Sequence, residues 1–139
     1  MRLIQDGERF LVRFEMGEKL PDALTNLAGE RAWKSASLTG IGAVKDVLLG
    51  AYELADKRYS KFPVDGVVEL VSLVGNLSWL NGQPIWHLHA LVSDTKGAVT
   101  GGHLFNLSVA VTVECWIHIS KLPVERKSDQ YTGLNLLDL

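Results

Sequence analysis

The chain has 139 residues, a net charge of −2 and a charged fraction of 22%. This length predicts one domain over residues 1–139 with its own core, and the ordinary composition excludes disordered, fibrous and coiled-coil classes. The slightly acidic balance disfavours nucleic acid as a partner, because affinity for DNA comes largely from Lys and Arg side chains that neutralise phosphates.

The first thirty residues predict a strand followed by a helix. In residues 9–16, Phe10, Val12 and Phe14 alternate with more polar positions, which is typical of a strand with one buried face. Residues 18–31 place Leu24 and Leu27 on one side of a helix, so an amphipathic helix is predicted there.

Residues 36–51 predict two strands joined by a glycine-rich turn. The turn contains Gly40 and Gly42, but no third glycine follows and the next segment is typical of a strand. A phosphate-binding loop needs that glycine and a helix after it, so this function is excluded. Residues 52–65 are polar, and we expect them to be irregular.

The second half of the chain predicts a series of strands. Asn81-Gly82 is a strong hairpin signal, and a second turn falls at residues 94–97. The predicted strands cover residues 67–77, 85–92, 98–104 and 107–119, and a more polar tail covers 121–139. Because strands dominate and do not alternate with helices, we expect an α+β fold with a mainly antiparallel sheet and one principal N-terminal helix.

Three histidines form the most informative pattern. His87 and His89 lie two apart in a strand, so both rings point to the same face. A hairpin register that pairs His103 with either of them would bring all three together, whereas a slip of one residue would turn His103 away. Gly101-Gly102 could provide a bulge that sets this aim. Imidazole nitrogen suits zinc, and also copper, iron and nickel.

A structural role for these histidines remains open at this point, because a pair of histidines two residues apart also occurs as ordinary hydrogen-bonded side chains. His118 is expected to be a half-exposed strand residue. Glu69 and Glu114 each lie in an apolar strand, so each needs a partner, which could be a ligating histidine, a backbone donor or another subunit. Bare backbone at Gly40, Gly42, Gly101 and Gly102 permits a close approach by a ligand or another chain.

The cellular setting is predicted from what the sequence lacks. The N-terminus has no apolar signal segment, and no apolar run is long enough to cross a bilayer. The single cysteine, Cys115, lies in an apolar run and is expected to be a buried hydrophobe. We therefore expect a cytoplasmic protein with no membrane partner.

Several segments resemble the PPC (plants-and-prokaryotes-conserved) domain family, in its prokaryotic stand-alone branch. The similar segments are residues 17–28, 36–44, 69–76 and 112–114, together with His87-Leu88-His89 and Gly101-Gly102-His103-Leu104. They cover nearly the whole chain in the right order. The resemblance implies an α+β fold around an antiparallel sheet, a homotrimer and, as in some prokaryotic members, a metal ion bound by His87, His89 and His103. Zinc is the expected metal.

Three functions are compatible with this resemblance. The first is a trimeric metal-binding domain for ligand binding or assembly, and the second is a zinc-dependent enzyme acting on a small molecule. The third is DNA association, as the family label suggests. The chain has no AT-hook, residues 66–71 depart from the plant pattern, and the basic pairs Lys57-Arg58 and Arg126-Lys127 are isolated, so DNA is a doubtful partner.

Overall fold

The structure is a computed structural model that describes residues 1–139. It contains one helix and ten strands, and all the strands belong to one sheet. In chain order the elements are β1 (Arg2–Asp6), β2 (Arg9–Glu15), β3 (Lys19–Leu20), α1 (Asp22–Glu30), β4 (Ser35–Glu53), β5 (Arg58–Val64), β6 (Val68–Leu80), β7 (Gln83–Ser93), β8 (Val99–Ser120), β9 (Glu125–Ser128) and β10 (Asn135–Asp138).

The fold class is the predicted α+β arrangement with a mainly antiparallel sheet. Strand β8 pairs with β2, β3, β4 and β7, and β6 pairs with both β4 and β7. Strands β4, β6, β7 and β8 therefore pair in a closed cycle. One side of these strands packs inward on a core of 27 buried apolar residues, which includes Phe14, Leu73 and Leu107. The other side is the outer face of the sheet.

Helix α1 is shorter than the predicted helix over residues 18–31. It begins at Asp22, directly after Pro21, and Lys19–Leu20 forms the short strand β3 instead. Its buried residues, Leu24, Leu27 and Ala28, lie on the predicted apolar stripe. The helix contacts β7 and β3. With nine residues it is far too short to cross a membrane, and no other helix is present that could do so.

The predicted glycine turn at residues 39–43 is wrong. Strand β4 runs through it without interruption, and its register against β6 shifts between Gly40 and Gly42. A Cβ atom at Gly42 would lie 2.2 Å from the carbonyl oxygen of Thr112, and one at Gly40 would lie 2.6 Å from Sγ of Cys115. These glycines therefore allow β4 and β8 to approach closely, and they do not reverse the chain.

Three further boundaries differ from the prediction. Part of the segment expected to be irregular forms β5, which pairs only with β4; an edge strand can be polar because its outer side meets water. The predicted strands over 98–104 and 107–119 are one strand, β8. The polar tail contains the hairpin of β9 and β10, and β9 joins the sheet through a parallel pairing of Glu125 with Trp79.

Candidate metal centre

The three histidines lie together on the outer face of the sheet. Strand β7 carries His87 and His89 on the same side, and the β7–β8 register places His103 directly opposite His89. The ring centroids are 5.1, 5.2 and 5.5 Å apart. One nitrogen from each ring lies within 4.8 Å of the others. The predicted convergence of the three rings is therefore confirmed.

Gly101 and Gly102 affect the position of His103 through close strand packing and not through the predicted bulge. The pairing of β7 with β8 is regular here, with Gly102 opposite Ala90 and Gly101 opposite Leu91, so the expected bulge is wrong. A Cβ atom at Gly102 would lie 2.7 Å from the carbonyl oxygen of Gly50, and one at Gly101 would lie 2.3 Å from Cδ2 of Leu91. The two glycines are needed because β8 passes close to both β4 and β7 just before His103.

Gly75 allows strand β6 to lie close to the backbone of His87 in β7. It lies in β6 opposite Leu88, and a Cβ atom there would be 2.1 Å from the carbonyl oxygen of His87. No side chain fits at that distance. The position of His87 thus depends on a glycine one strand away.

Aromatic side chains surround His103. The ring centroid of Tyr59 lies 4.8 Å from that of His103, and the ring centroid of Phe105 lies 4.7 Å from it. Lys61 places its Nζ atom 4.1 Å from the centre of the Phe105 ring. Within this setting Nδ1 of His103 is buried and has no hydrogen-bond partner. A buried polar atom without a partner is costly, and a bound ion would relieve that cost.

Burial keeps two of the imidazoles neutral. It lowers the pKa of His103 to about 4, and His87, His89 and Lys61 add to the effect. Burial also lowers the pKa of His87, followed by the charge of Arg126 and by His89. Metal ions bind the neutral form of imidazole. Three convergent imidazoles, two of them held neutral and one with an unpartnered nitrogen, fit a transition-metal ion.

A cavity of about 240 Å³ adjoins the cluster, and no carboxylate lines it. Its lining residues come from β5, β7, β8 and the C-terminal hairpin: Tyr59, Ile85, Trp86, His87, His103, Arg126, Leu134, Asn135 and Leu136. Arg126 donates hydrogen bonds to Asn76 and Ser78, both in β6. In the sequence, Arg126 stands out only as part of the basic pair Arg126-Lys127. Asn76 and Ser78 alternate with apolar residues in β6, and this pair of polar side chains on one face was the available signal.

The other candidate residues lie away from the cluster. In the strand register Glu69 lies opposite Ser93, and Glu114 lies opposite Arg13. Both carboxylates are exposed, so neither is a buried group that needs a partner within the chain. Their predicted contact with another subunit stays a prediction. His118 is exposed on β8 opposite Arg9.

Cys115 is fully buried, as predicted for a small core residue. Burial raises the pKa of its thiol to about 12. The thiolate is the form that reacts and ligates metals, so burial disfavours both roles for Cys115.

The fold and the cluster define a class of small α+β domains in which an antiparallel sheet carries three histidines on its outer face. The sequence profile of the Plants and Prokaryotes Conserved (PCC) domain matches residues 1–120. The chain belongs to this family. None of the curated protein sequences matches it.

Solved structures of related proteins agree with this assignment. A plant- and prokaryote-conserved (PPC) protein of Pyrococcus horikoshii is 30% identical, with a TM-score of 0.87 over 99% of this chain and 94% of its own. A metal-containing protein of Archaeoglobus fulgidus is 32% identical, with a TM-score of 0.86 over 95% of this chain and 94% of its own. A proposed DNA-binding protein of Bacteroides thetaiotaomicron is 25% identical, with a TM-score of 0.95 over 99% of this chain and 96% of its own.

Proposed function

We propose that the protein is a homotrimeric metal-binding domain that holds one zinc ion per chain through His87, His89 and His103. The observation that carries the proposal is the approach of three imidazole nitrogens to within 4.8 Å of one another, with Nδ1 of His103 buried and unpartnered. The metal-containing relative from Archaeoglobus fulgidus supports it. Nitrogen ligands are compatible with zinc, copper, iron and nickel, and zinc is the metal that we expect.

The role of the metal in this proposal is chemical. Structural zinc sites normally have four protein ligands, whereas three protein ligands leave a position for another molecule. The core of 27 apolar residues is large enough to stabilise the fold by itself. When bound, zinc supplies a Lewis acid that polarises an oxygen atom of a ligand.

Metal analysis of purified protein tests the proposal. Wild-type protein should contain about one zinc per chain, and His87→Ala and His103→Ala should lose it. His118→Ala is the matched control, because His118 lies exposed on the same sheet away from the cluster. All three variants should keep the wild-type circular dichroism spectrum and oligomeric mass. Zinc retained in His103→Ala would contradict the proposed ligand set, and unfolding of either cluster variant would make the metal structural.

Exposed apolar side chains support the trimer. Seven of them lie on β4, β6, β7 and β8: Ile41, Val71, Val74, Leu91, Val99, Val111 and Trp116. Apolar surface of this kind is typical of a protein–protein interface. Sedimentation should give three times the chain mass of 15.3 kDa. Val111→Lys should dissociate the trimer, whereas Leu122→Lys, at an equally exposed apolar position outside the strands, should not. A monomeric wild-type protein would refute the proposed assembly.

A zinc-dependent enzyme acting on a small molecule is a second candidate function. The cavity favours it, because His87 and His103 line the same space as Arg126. In this arrangement the histidines hold the metal and Arg126 orients the ligand.

DNA binding is a further candidate, favoured by the description of the Bacteroides thetaiotaomicron relative. The basic residues oppose it, because Arg58 lies 3.3 Å from Asp56, Lys57 donates to the carbonyl of Gln130, and Lys127 pairs with Asp138. Fluorescence anisotropy with a labelled duplex at physiological salt should show weak or no binding. A nanomolar, sequence-specific complex would establish the DNA function instead.

A further inference from the structure

Arg126 is held in one position by three hydrogen bonds. Its Nε atom donates to the buried hydroxyl of Ser78 at 2.7 Å, Nη1 donates to the carbonyl of Asn135 at 2.8 Å, and Nη2 donates to Oδ1 of Asn76 at 3.1 Å. A guanidinium group has five N–H donors. Three are used here, which leaves one on each terminal nitrogen.

The charge of Arg126 has no counterion in the chain. No ion pair involves it, and no Asp or Glu lines the cavity that it faces. Arginines elsewhere in the sheet differ in this respect, since each has a carboxylate within 4 Å: Arg2, Arg9, Arg13 and Arg58. A partly buried cation is costly without a negative partner. The group that would balance the charge of Arg126 is therefore an anion from outside the chain.

The rest of the cavity limits the size and character of that anion. Its volume of about 240 Å³ admits only a small molecule. Ile85, Leu134 and Leu136 contribute apolar wall. One fixed guanidinium with two free N–H groups suits a carboxylate, which carries a single charge and two oxygens. Arg126 is the only Lys or Arg among the lining residues, and a single guanidinium matches the charge of a carboxylate more closely than that of a phosphate dianion.

We propose that this cavity binds a small organic carboxylate, whose oxygens pair with Arg126 and whose short apolar body packs against Ile85, Leu134 and Leu136. The inference rests on the proposed function, because His87 and His103 bound the same cavity, and it names the chemical class of ligand for that site. It assigns Arg126 to binding and charge selection. Asn76 and Ser78 act through Arg126 as positioning residues.

Calorimetric titration with isobutyrate and its neutral isostere isobutyramide tests the assignment. Zinc-loaded wild-type protein should bind isobutyrate about 10-fold or more tightly than isobutyramide, because only the carboxylate pairs with the guanidinium. Arg126→Gln should weaken isobutyrate binding about 10-fold, leave isobutyramide binding unchanged and so reduce this preference by the same factor. Arg58→Gln, which alters an exposed arginine paired with Asp56, should leave it unchanged. Inorganic phosphate should bind more weakly than isobutyrate, and tighter binding of phosphate would overturn the choice of a carboxylate.

The zinc content of every titrated sample separates this inference from the proposed function. Zinc retained in Arg126→Gln together with a preference reduced about 10-fold supports the inference. Equal affinities of wild type and Arg126→Gln for isobutyrate, with zinc present in both, overturn it and leave the metal site intact. Absence of zinc from wild type overturns the proposed function, and the comparison of isobutyrate with isobutyramide then applies to the metal-free protein. If Arg126→Gln does not fold, an isobutyrate-induced shift of the Arg126 Nε–H resonance in wild type decides; its absence counts against the assignment.

Discussion

Gly75→Ala should disrupt the sheet at the position of the metal centre. The added Cβ atom would lie 2.1 Å from the carbonyl oxygen of His87 and 2.7 Å from Cδ2 of Leu88, whereas ordinary contact begins at 3.4 Å. The difference of 1.3 Å must be met by moving β6 away from β7, because a backbone carbonyl cannot rotate aside as a flexible side chain can.

The cost follows from that separation. Cross-strand hydrogen bonds lengthened by more than 1 Å are lost, and two of them contribute about 2 kcal/mol together. Overpacking of the buried Leu88 adds about 1–3 kcal/mol. The free energy of unfolding should therefore fall by about 3–5 kcal/mol, which for a chain of 139 residues lowers the Tm by about 10–15 °C. Because the backbone of His87 moves, zinc affinity should fall by about 10-fold or more.

Thermal melting and zinc titration measure these two effects. Gly29→Ala is the matched control, since its Cβ atom would meet only Cγ of Pro84 at 3.9 Å. That substitution lies in helix α1 and should stabilise the protein by about 0.5–1 kcal/mol. A Gly75→Ala protein that melts within a few degrees of wild type and binds zinc normally would refute the close approach of β6 to the His87 backbone.

Three further outcomes are expected. Cys115 should resist thiol reagents until the protein unfolds, because it is buried and its pKa is raised to about 12; rapid labelling of native protein would contradict this. Metal-free protein should lose stability as the pH falls from 6.5 towards 4, because the unfolded chain takes up a proton at His103 that the folded chain excludes. An equal loss of stability in His103→Asn would refute this cause. Leu24→Ala should cost about 2–5 kcal/mol in chemical denaturation, whereas the exposed Asn26→Ala should change stability by about 0.5 kcal/mol or less; similar effects would contradict the packing of α1.

Local periodicity was sufficient to predict the common face of His87 and His89, whereas the register that adds His103 was left open by the sequence. The spacing of His87 and His89 fixes their common face in any strand, and a hairpin between β7 and β8 needs only short-range pairing to bring in His103. The glycines were harder to interpret. Gly40 and Gly42 serve the approach of Thr112 and Cys115, which lie about seventy residues further along the chain, so no local pattern distinguishes this use from a turn.

The cavity could not be predicted because it is built by the C-terminal tail. The hairpin of β9 and β10 contacts β6 where Glu125 pairs with Trp79, and this contact places Arg126 in the cavity that His87 and His103 also line. A polar segment with little periodicity carries no signal of such a contact. Tyr59 and His103 are likewise far apart in the sequence, although their rings are neighbours.

Strand β8 has a consequence for how the protein folds during synthesis. It is the partner of β2, β3, β4 and β7, and it pairs Arg9 with His118 across most of the chain. Until residues 99–120 have left the ribosome, the edges of β2 and β4 that pair with β8 have no partner strand. Contacts between such distant residues also slow folding, because a long loop must close before they form. The nascent chain therefore carries exposed strand edges until residues 99–120 emerge, and that interval is when it is most exposed to aggregation.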